Sequence, residues 1–296
     1  MSSDTTPTPE LDLWVEERHR DIVGARFKVL RTLFSGTSEY QKVDVVESAG
    51  FGKMLFNDGL AMVSERDEFV YHEMIAHVPL FTHPEPKRVL VIGGGDGGTV
   101  REVIKHPSVE HCHLVEIDEM VVNACREHIP LTSACLNDKK VQVTIGDGVK
   151  FVAETKEKFD LIIVDSTDPI GPAAPLFGKE FYQNVHSCLA DGGIVVSQGE
   201  SVYYEQEMQR SLLSILNNEF SITRLFNYSN LTYPGGLWSF VYASDKRCPL
   251  ADFDESRVAA SGIEFQYYNE YIHRAAFMLP EFQRKALGST LKPLPK

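Results

Sequence analysis

The stretch that decides the fold is "VLVIGGGDGGTVREV", residues 89–103. An apolar run enters a glycine cluster and then text of helical character, the order of a strand, a tight loop and a helix. Gly93, Gly95 and Gly98 fit GxGxxG, in which the glycines let backbone approach a ligand closely. The next apolar segment, "HLVEID", ends near Glu116, where a carboxylate can accept hydrogen bonds from both hydroxyls of an adenosine ribose. GxGxxG alone is weak evidence, and a tight turn with no ligand is the plain alternative. Strand, helix and Glu116 together point to an adenosine-containing ligand.

Asp96 is the unusual residue of this loop. A carboxylate there would stand close to the pyrophosphate of a dinucleotide and repel it, which disfavours an NAD dehydrogenase. An adenosyl-sulfonium ligand has no phosphate. S-adenosylmethionine would still bring its α-carboxylate near Asp96, whereas the decarboxylated form ends in a bare ammonium that suits it. A second pair of acids stands in "DSTDPIGPAAPLF", residues 165–177. Asp165 and Asp168 follow an apolar run, at the carboxyl end of a parallel strand where α/β sheets put their ligand sites. Pro169 and Pro172 stiffen the loop beyond. With Asp96 these acids make a site for a diamine or other polycation; the bland alternative is ordinary turn chemistry of aspartate before proline. In "TIGDG", Asp147 and Gly148 would lie beside an adenine, a plain turn being nearly as good a reading.

Outward from the loop, "RVLVIG", "CHLVEID", "VQVTIGD", "FDLIIVD" and "GGIVVSQ" alternate with helical segments, which argues for a parallel α/β sheet covered on both faces. "ITRLFNYSN" and "LWSFVYAS" read as two final strands, an antiparallel addition. Residues 26–64 are strand-like and broken by SGTS, SAGFG and NDG, an antiparallel β-unit. Residues 65–81 read as a helix, and the proline-rich 82–87 as a junction. The expected layout is a disordered tail at 1–12, an N-terminal β-domain with its linking helix at 13–81, and a Rossmann-like catalytic domain at 82–296.

The chain has 296 residues and a net charge of −13, which disfavours nucleic acid and anionic membrane as partners and suits a cationic substrate. Five cysteines without CxxC spacing fit a reducing compartment. No apolar run reaches a membrane span, and the first residues lack the pattern of a secretory signal, so a soluble, cytoplasmic protein is expected. His106, His111, Cys112 and His113 look like a metal cluster on paper. They straddle a helix end and a strand, where neighbours point to opposite faces, and no metal is expected there.

"GGGDGGTVREV", "VEID", "GDGVKFV", "DSTDPIGPA", "TYPGGLWSF" and "YYNEYIHRAAFMLPEF" together resemble the polyamine aminopropyltransferases, the family of the spermidine synthases, over residues 14–287. The resemblance implies a Rossmann-like, methyltransferase-type sheet preceded by a small antiparallel β-domain, assembled as a homodimer or homotetramer. It implies transfer of an aminopropyl group from decarboxylated S-adenosylmethionine, a co-substrate, to putrescine, with no cofactor and no metal. The products would be spermidine and methylthioadenosine. Carried over by motif, Gln41, Asp96, Glu116, Asp147, Gly148 and Pro172 hold the donor, beside the loop glycines Gly93 and Gly95. Tyr71, His72, Asp96, Asp165, Asp168, Gln198 and Tyr233 serve the amine, and Asp165 is the proton acceptor. A putrescine N-methyltransferase using S-adenosylmethionine would share most motifs but is expected to carry a neutral residue at position 96. A non-catalytic polyamine-binding protein is expected to lose Asp165 or Tyr233. Trp238 either shapes the far end of the amine pocket or is a buried strand tryptophan; Trp14 either packs or touches the donor site. His273 and "FQYYNEYIH" are expected to pack the C-terminal segment and a subunit interface.

Overall fold

The structure, a computed structural model, describes residues 12–168 and 171–294. Five strands, β1 (Trp14–His19), β2 (Val23–Thr37), β3 (Lys42–Ser48), β4 (Gly52–Asn57) and β5 (Leu60–Ser64), form an antiparallel sheet in chain order. Asp58 and Gly59, both left-handed, make the two-residue turn between β4 and β5 that the NDG signal foretold. β1 was not legible. Its Glu17 and His19 point inward while Glu16 and Arg18 point out, so both faces carry charge and no apolar alternation marks the strand.

Seven further strands make the larger sheet: β6 (Arg88–Gly93), β7 (His111–Glu116), β8 (Val141–Ile145), β9 (Phe159–Asp165), β10 (Leu189–Ser201), β11 (Ile222–Ser229) and β12 (Leu237–Ser244). Their order is β11-β12-β10-β9-β6-β7-β8. β6 to β10 run parallel, and β12 inserts antiparallel between β10 and β11, the expected methyltransferase-type arrangement. The helices are α1 (Glu68–Thr82), α2 (Gly98–Ile104), α3 (Glu119–His128), α4 (Pro130–Ser133), α5 (Gly148–Glu154), α6 (Lys179–Cys188) and α7 (Gln206–Glu219). The chain closes with α8 (Glu255–Ala260), α9 (Glu270–Ala276) and α10 (Glu281–Leu287).

Alternate residues of each parallel strand feed opposite cores. Val89 and Val91 pack under α1 and α2, while Leu90 and Ile92 pack with α6 and α7 on the other face. Burial of both faces is why these strands read as continuous apolar runs. α1, the linking helix of the expected layout, packs Met74, Ile75, Val78 and Phe81 into the same core as Val89 and Val91. The β-unit rests on α3 through Val43, Val45 and Leu55 against Val121 and Cys125. His273 is buried, stacked on Phe253 and hydrogen-bonded to Tyr268 and the Pro249 carbonyl, packing the C-terminal segment as expected.

From β6 the sheet grows one way through β7 and the other way through β9. The crevice at the carboxyl ends of β6 and β9 is therefore the topological switch point, the favoured ligand site of such sheets. Gly93 and Asp165 lie opposite each other there, in register.

Candidate active site

The loop after β6 is shaped by what its glycines lack. Gly93 has φ +79, and a Cβ there would sit 2.1 Å from the Asp165 carbonyl oxygen. A Cβ on Gly98 would sit 2.1 Å from Cε1 of His72, so α1 and α2 meet closely only because position 98 is bare. Glu116, at the tip of β7, accepts from the backbone N–H groups of Gly95 (3.1 Å) and Asp118 (2.9 Å). Burial, with the charges of Asp118 and Asp165 adding, lifts its carboxyl to about 7. The Gln41 amide donates to Asp118 (3.0 Å), which brings the end of the β-unit over this wall. Asp147 caps α5, accepting from Val149 N–H at 2.8 Å. It still lines the cleft beside Gly148, so the turn and ligand readings are compatible.

Asp96 is held by a chain of buried charges. Its Oδ1 accepts from Gly98 N–H (2.8 Å) and lies 3.4 Å from His72 Nε2. His72 Nδ1 bonds Glu68 Oε2 at 2.5 Å, one helical turn away, and Arg101 grips both oxygens of Glu68 at 2.8 Å. Burial works against a proton on His72, but Asp96 and Glu68 outweigh it and raise its pKa to about 9. Burial also lifts Asp96, to about 6, against the opposing charge of His72. Both ring nitrogens of His72 are thus committed to carboxylates. His72 lines the cleft and also stands as a cationic buttress behind Asp96.

Asp165, at the tip of β9, accepts from Tyr71 Oη (2.7 Å) and Thr99 Oγ1 (2.6 Å). Three elements, α1, α2 and β9, therefore fix one carboxylate at the neck of the cleft. Beyond it lies a buried acidic chamber. Glu17, His19 and Gln198 are at most 5% exposed and line the cleft with Asp168, Tyr233 and Trp238. Glu200, fully buried and at φ +70, stands against Asp168. Among the described residues Glu17 Oε2 and His19 Nε2 have no hydrogen-bond partner, while Glu200 faces Asp168 and Gln198. Carboxylate, imidazole and amide groups thus converge on one buried space, a lining that suits a cationic donor. Burial, with Asp168 adding, pushes Glu17 up to about 8 and Glu200 well above the usual range. Burial and Glu205 likewise raise Asp168. Tyr233 donates to the Met62 carbonyl (2.7 Å), tying the loop before β12 to β5.

All the expected site residues but Pro172 thus line one cleft. Pro169 and the Pro172 side chain lie outside the described residues. Trp238 satisfies both of its readings, 5% exposed and lining the chamber with its indole N–H on the Pro234 carbonyl. Trp14 satisfies neither: it is half exposed and bonds Asp12. His106 bonds His77, His113 bonds Thr144 and Cys112 is in the core, so the paper metal cluster does not converge. Sequence reasoning missed Glu68, Arg101, Thr99, Glu17, His19, Glu200 and Glu205. Only Glu68 and His72, one turn apart on a helix, carried a signal.

A family model described as "Spermine/spermidine synthase domain" matches residues 68–255, and one described as "Spermidine synthase tetramerisation domain" matches residues 13–65. This chain belongs to the spermidine synthase family of polyamine aminopropyltransferases. The polyamine aminopropyltransferase of Caldicellulosiruptor saccharolyticus is 46% identical over 278 residues, 94% of this chain and 99% of the relative. That of Methanocaldococcus jannaschii is 45% identical, over 95% and 97% of the two chains. A spermidine synthase solved with the transition-state analogue AdoDATO superposes with a TM-score of 0.93 at 41% identity, covering 95% of this chain and 97% of its own. The spermidine synthase of Thermotoga maritima gives 0.90 at 40% identity, covering 95% and 96%. The chain is an aminopropyltransferase enzyme of polyamine biosynthesis. Among the described residues no helix is long and apolar enough to cross a membrane.

Proposed function

We propose that this aminopropyltransferase is a spermidine synthase that moves the aminopropyl group of decarboxylated S-adenosylmethionine onto putrescine. The observation that carries the reading is the buried acidic lining beyond Asp165, where Glu17, Asp168 and Gln198 face one cleft and suit the second ammonium of a diamine. The donor's adenosine would lie along Glu116, Asp147 and Gln41, with its ammonium tail at Asp96. The acceptor would enter from the chamber, its far ammonium among Asp168, Glu17 and Gln198 and its reacting nitrogen beside Asp165.

The sulfonium makes the adjacent carbon electrophilic. The amine nitrogen attacks that carbon in line; the carbon–sulfur bond breaks, its electron pair returns to sulfur, and methylthioadenosine leaves. The nucleophile must be neutral, and with lysine as proxy, freeing its lone pair at pH 7 costs about 4–5 kcal/mol. A carboxylate is a weak base for that task. Asp165, pinned by Tyr71 and Thr99, contributes by orienting the nitrogen and receiving its proton as the new bond forms. No step calls for a metal or a bound cofactor. The tetramerisation-domain match supports a homotetramer, and the exposed Trp14, Ile22 and Leu30 of the β-unit are its available apolar surface.

Calorimetry tests the acceptor assignment. Putrescine titrated into protein saturated with methylthioadenosine is expected to bind at one site per chain, and butylamine, which lacks the far ammonium, at least tenfold more weakly (~1.4 kcal/mol or more). Equal binding of the two would overturn it.

A further inference from the structure

Behind His19, which lines the acidic chamber, the chain makes an unusual turn. Arg20 and Asp21, joining β1 to β2, have φ of 52° and 53°, with Ile22 N–H bonded to the His19 carbonyl. Consecutive left-handed residues in a strand connection favour asparagine and glycine, and an arginine in that conformation is rare. Such strain persists where the surroundings hold it, and the holder is visible. The Arg20 guanidinium clamps Glu205, at the start of α7, through Nη2 to Oε2 (2.8 Å) and Nε to Oε1 (2.6 Å). This ion pair joins the β-unit to the start of α7 behind His19.

His19 stands just inside it. Its side chain is 5% exposed, its ring lies against Tyr204 and Trp238, and its Nε2 is 3.5 Å from Glu205 Oε1 without a hydrogen bond. On the inner side it neighbours Asp168. From the cleft outward the order is therefore Asp165, Asp168, His19 and, behind the imidazole, Glu205, whose carboxylate is held from outside by Arg20.

We infer that His19 and the Arg20–Glu205 clamp are the length stop of the acceptor site, admitting a diamine and excluding a triamine. The inference rests on the reading of the chamber as the acceptor site. With the imidazole removed, the chamber extends to Glu205; with Arg20 also removed, Glu205 becomes free to take a further ammonium.

The test compares kcat/KM for putrescine and for the triamine spermidine in the wild type, His19→Ala, Arg20→Asn and the double variant. Asparagine suits the left-handed backbone at position 20, so Arg20→Asn keeps the turn while deleting the clamp. His19→Ala is expected to raise the triamine-to-diamine ratio at least tenfold, and the double variant to raise it further. Calorimetric binding of spermidine to protein saturated with the donor's unreactive demethylated thioether, which keeps the aminopropyl arm, read beside thermal melting, gives the same comparison independently of turnover. A ratio and a spermidine affinity within twofold of wild type in folded variants would overturn the stop. A wild type that transfers to no amine would instead overturn the acceptor-site reading, and the stop with it.

Discussion

Replacing Asp96 by asparagine isolates the charge that is proposed to select the donor. Asparagine keeps the shape and an oxygen for Gly98 N–H, and removes only the negative charge. Two unit charges about 4 Å apart at an effective dielectric of about 20 interact by ~4 kcal/mol. His72, held protonated at 3.4 Å on the far side, cancels part of that field. With half cancelled, ~2 kcal/mol remains for the donor's ammonium, a loss of ~30-fold in affinity for decarboxylated S-adenosylmethionine. S-adenosylmethionine carries a carboxylate beside its ammonium, so the substitution removes an attraction and a repulsion together. Its affinity should move by less than ~3-fold. Calorimetric titration of both donors at pH 8, above the value of about 6 to which burial raises Asp96, reads the difference directly. The wild-type preference for the decarboxylated donor should also fade as pH falls through about 6, where Asp96 takes up a proton. Equal losses for the two donors in Asp96→Asn would refute the charge-selection argument.

Asp165→Asn should lower kcat by ~10²–10⁴-fold while donor affinity stays within a few-fold; near-normal kcat would remove Asp165 from the proton path. His72 gains a proton on folding, so its stabilisation is complete below its unfolded value of ~6.5 and is lost as pH rises toward about 9. That is ~3 kcal/mol in all, read as the difference between urea-unfolding free energies of wild type and His72→Gln from pH 6 to 9.5; parallel curves would contradict it. Subtracting the variant is needed because Glu17, Asp96 and Glu116, also raised, slope the same way. Glu17, at about 8, is mostly protonated at pH 7, so a diammonium acceptor should expel on the order of one proton per chain. Binding heats that do not depend on buffer ionisation enthalpy would contradict that.

The parallel sheet was legible because its chemistry is local. Strands buried on both faces must be apolar throughout, and the glycine loop must stay bare where Gly93 meets Asp165 and Gly98 meets His72. The acids at strand tips, Asp96, Glu116 and Asp165, were legible for the same reason, since the topology alone brings strand ends to one crevice. The chamber was not. Of its acids only Asp168 was legible, beside Asp165; Glu17 comes from a charged edge strand, Glu200 from within a bulge of β10 and Glu205 from beyond it, and no spacing in the chain relates them. The propping of Asp96 by His72 is not written in the motif that names it. Only the packing of Arg101 and Glu68 behind it reveals a buttress.

The most direct test is a product assay by mass spectrometry, offering the protein both donors with putrescine, cadaverine, agmatine and spermidine. Spermidine and methylthioadenosine, formed from the decarboxylated donor and putrescine at a higher kcat/KM than any other pair, is the predicted result. Methylated putrescine with S-adenosylhomocysteine, or no product from any pair, would contradict the account.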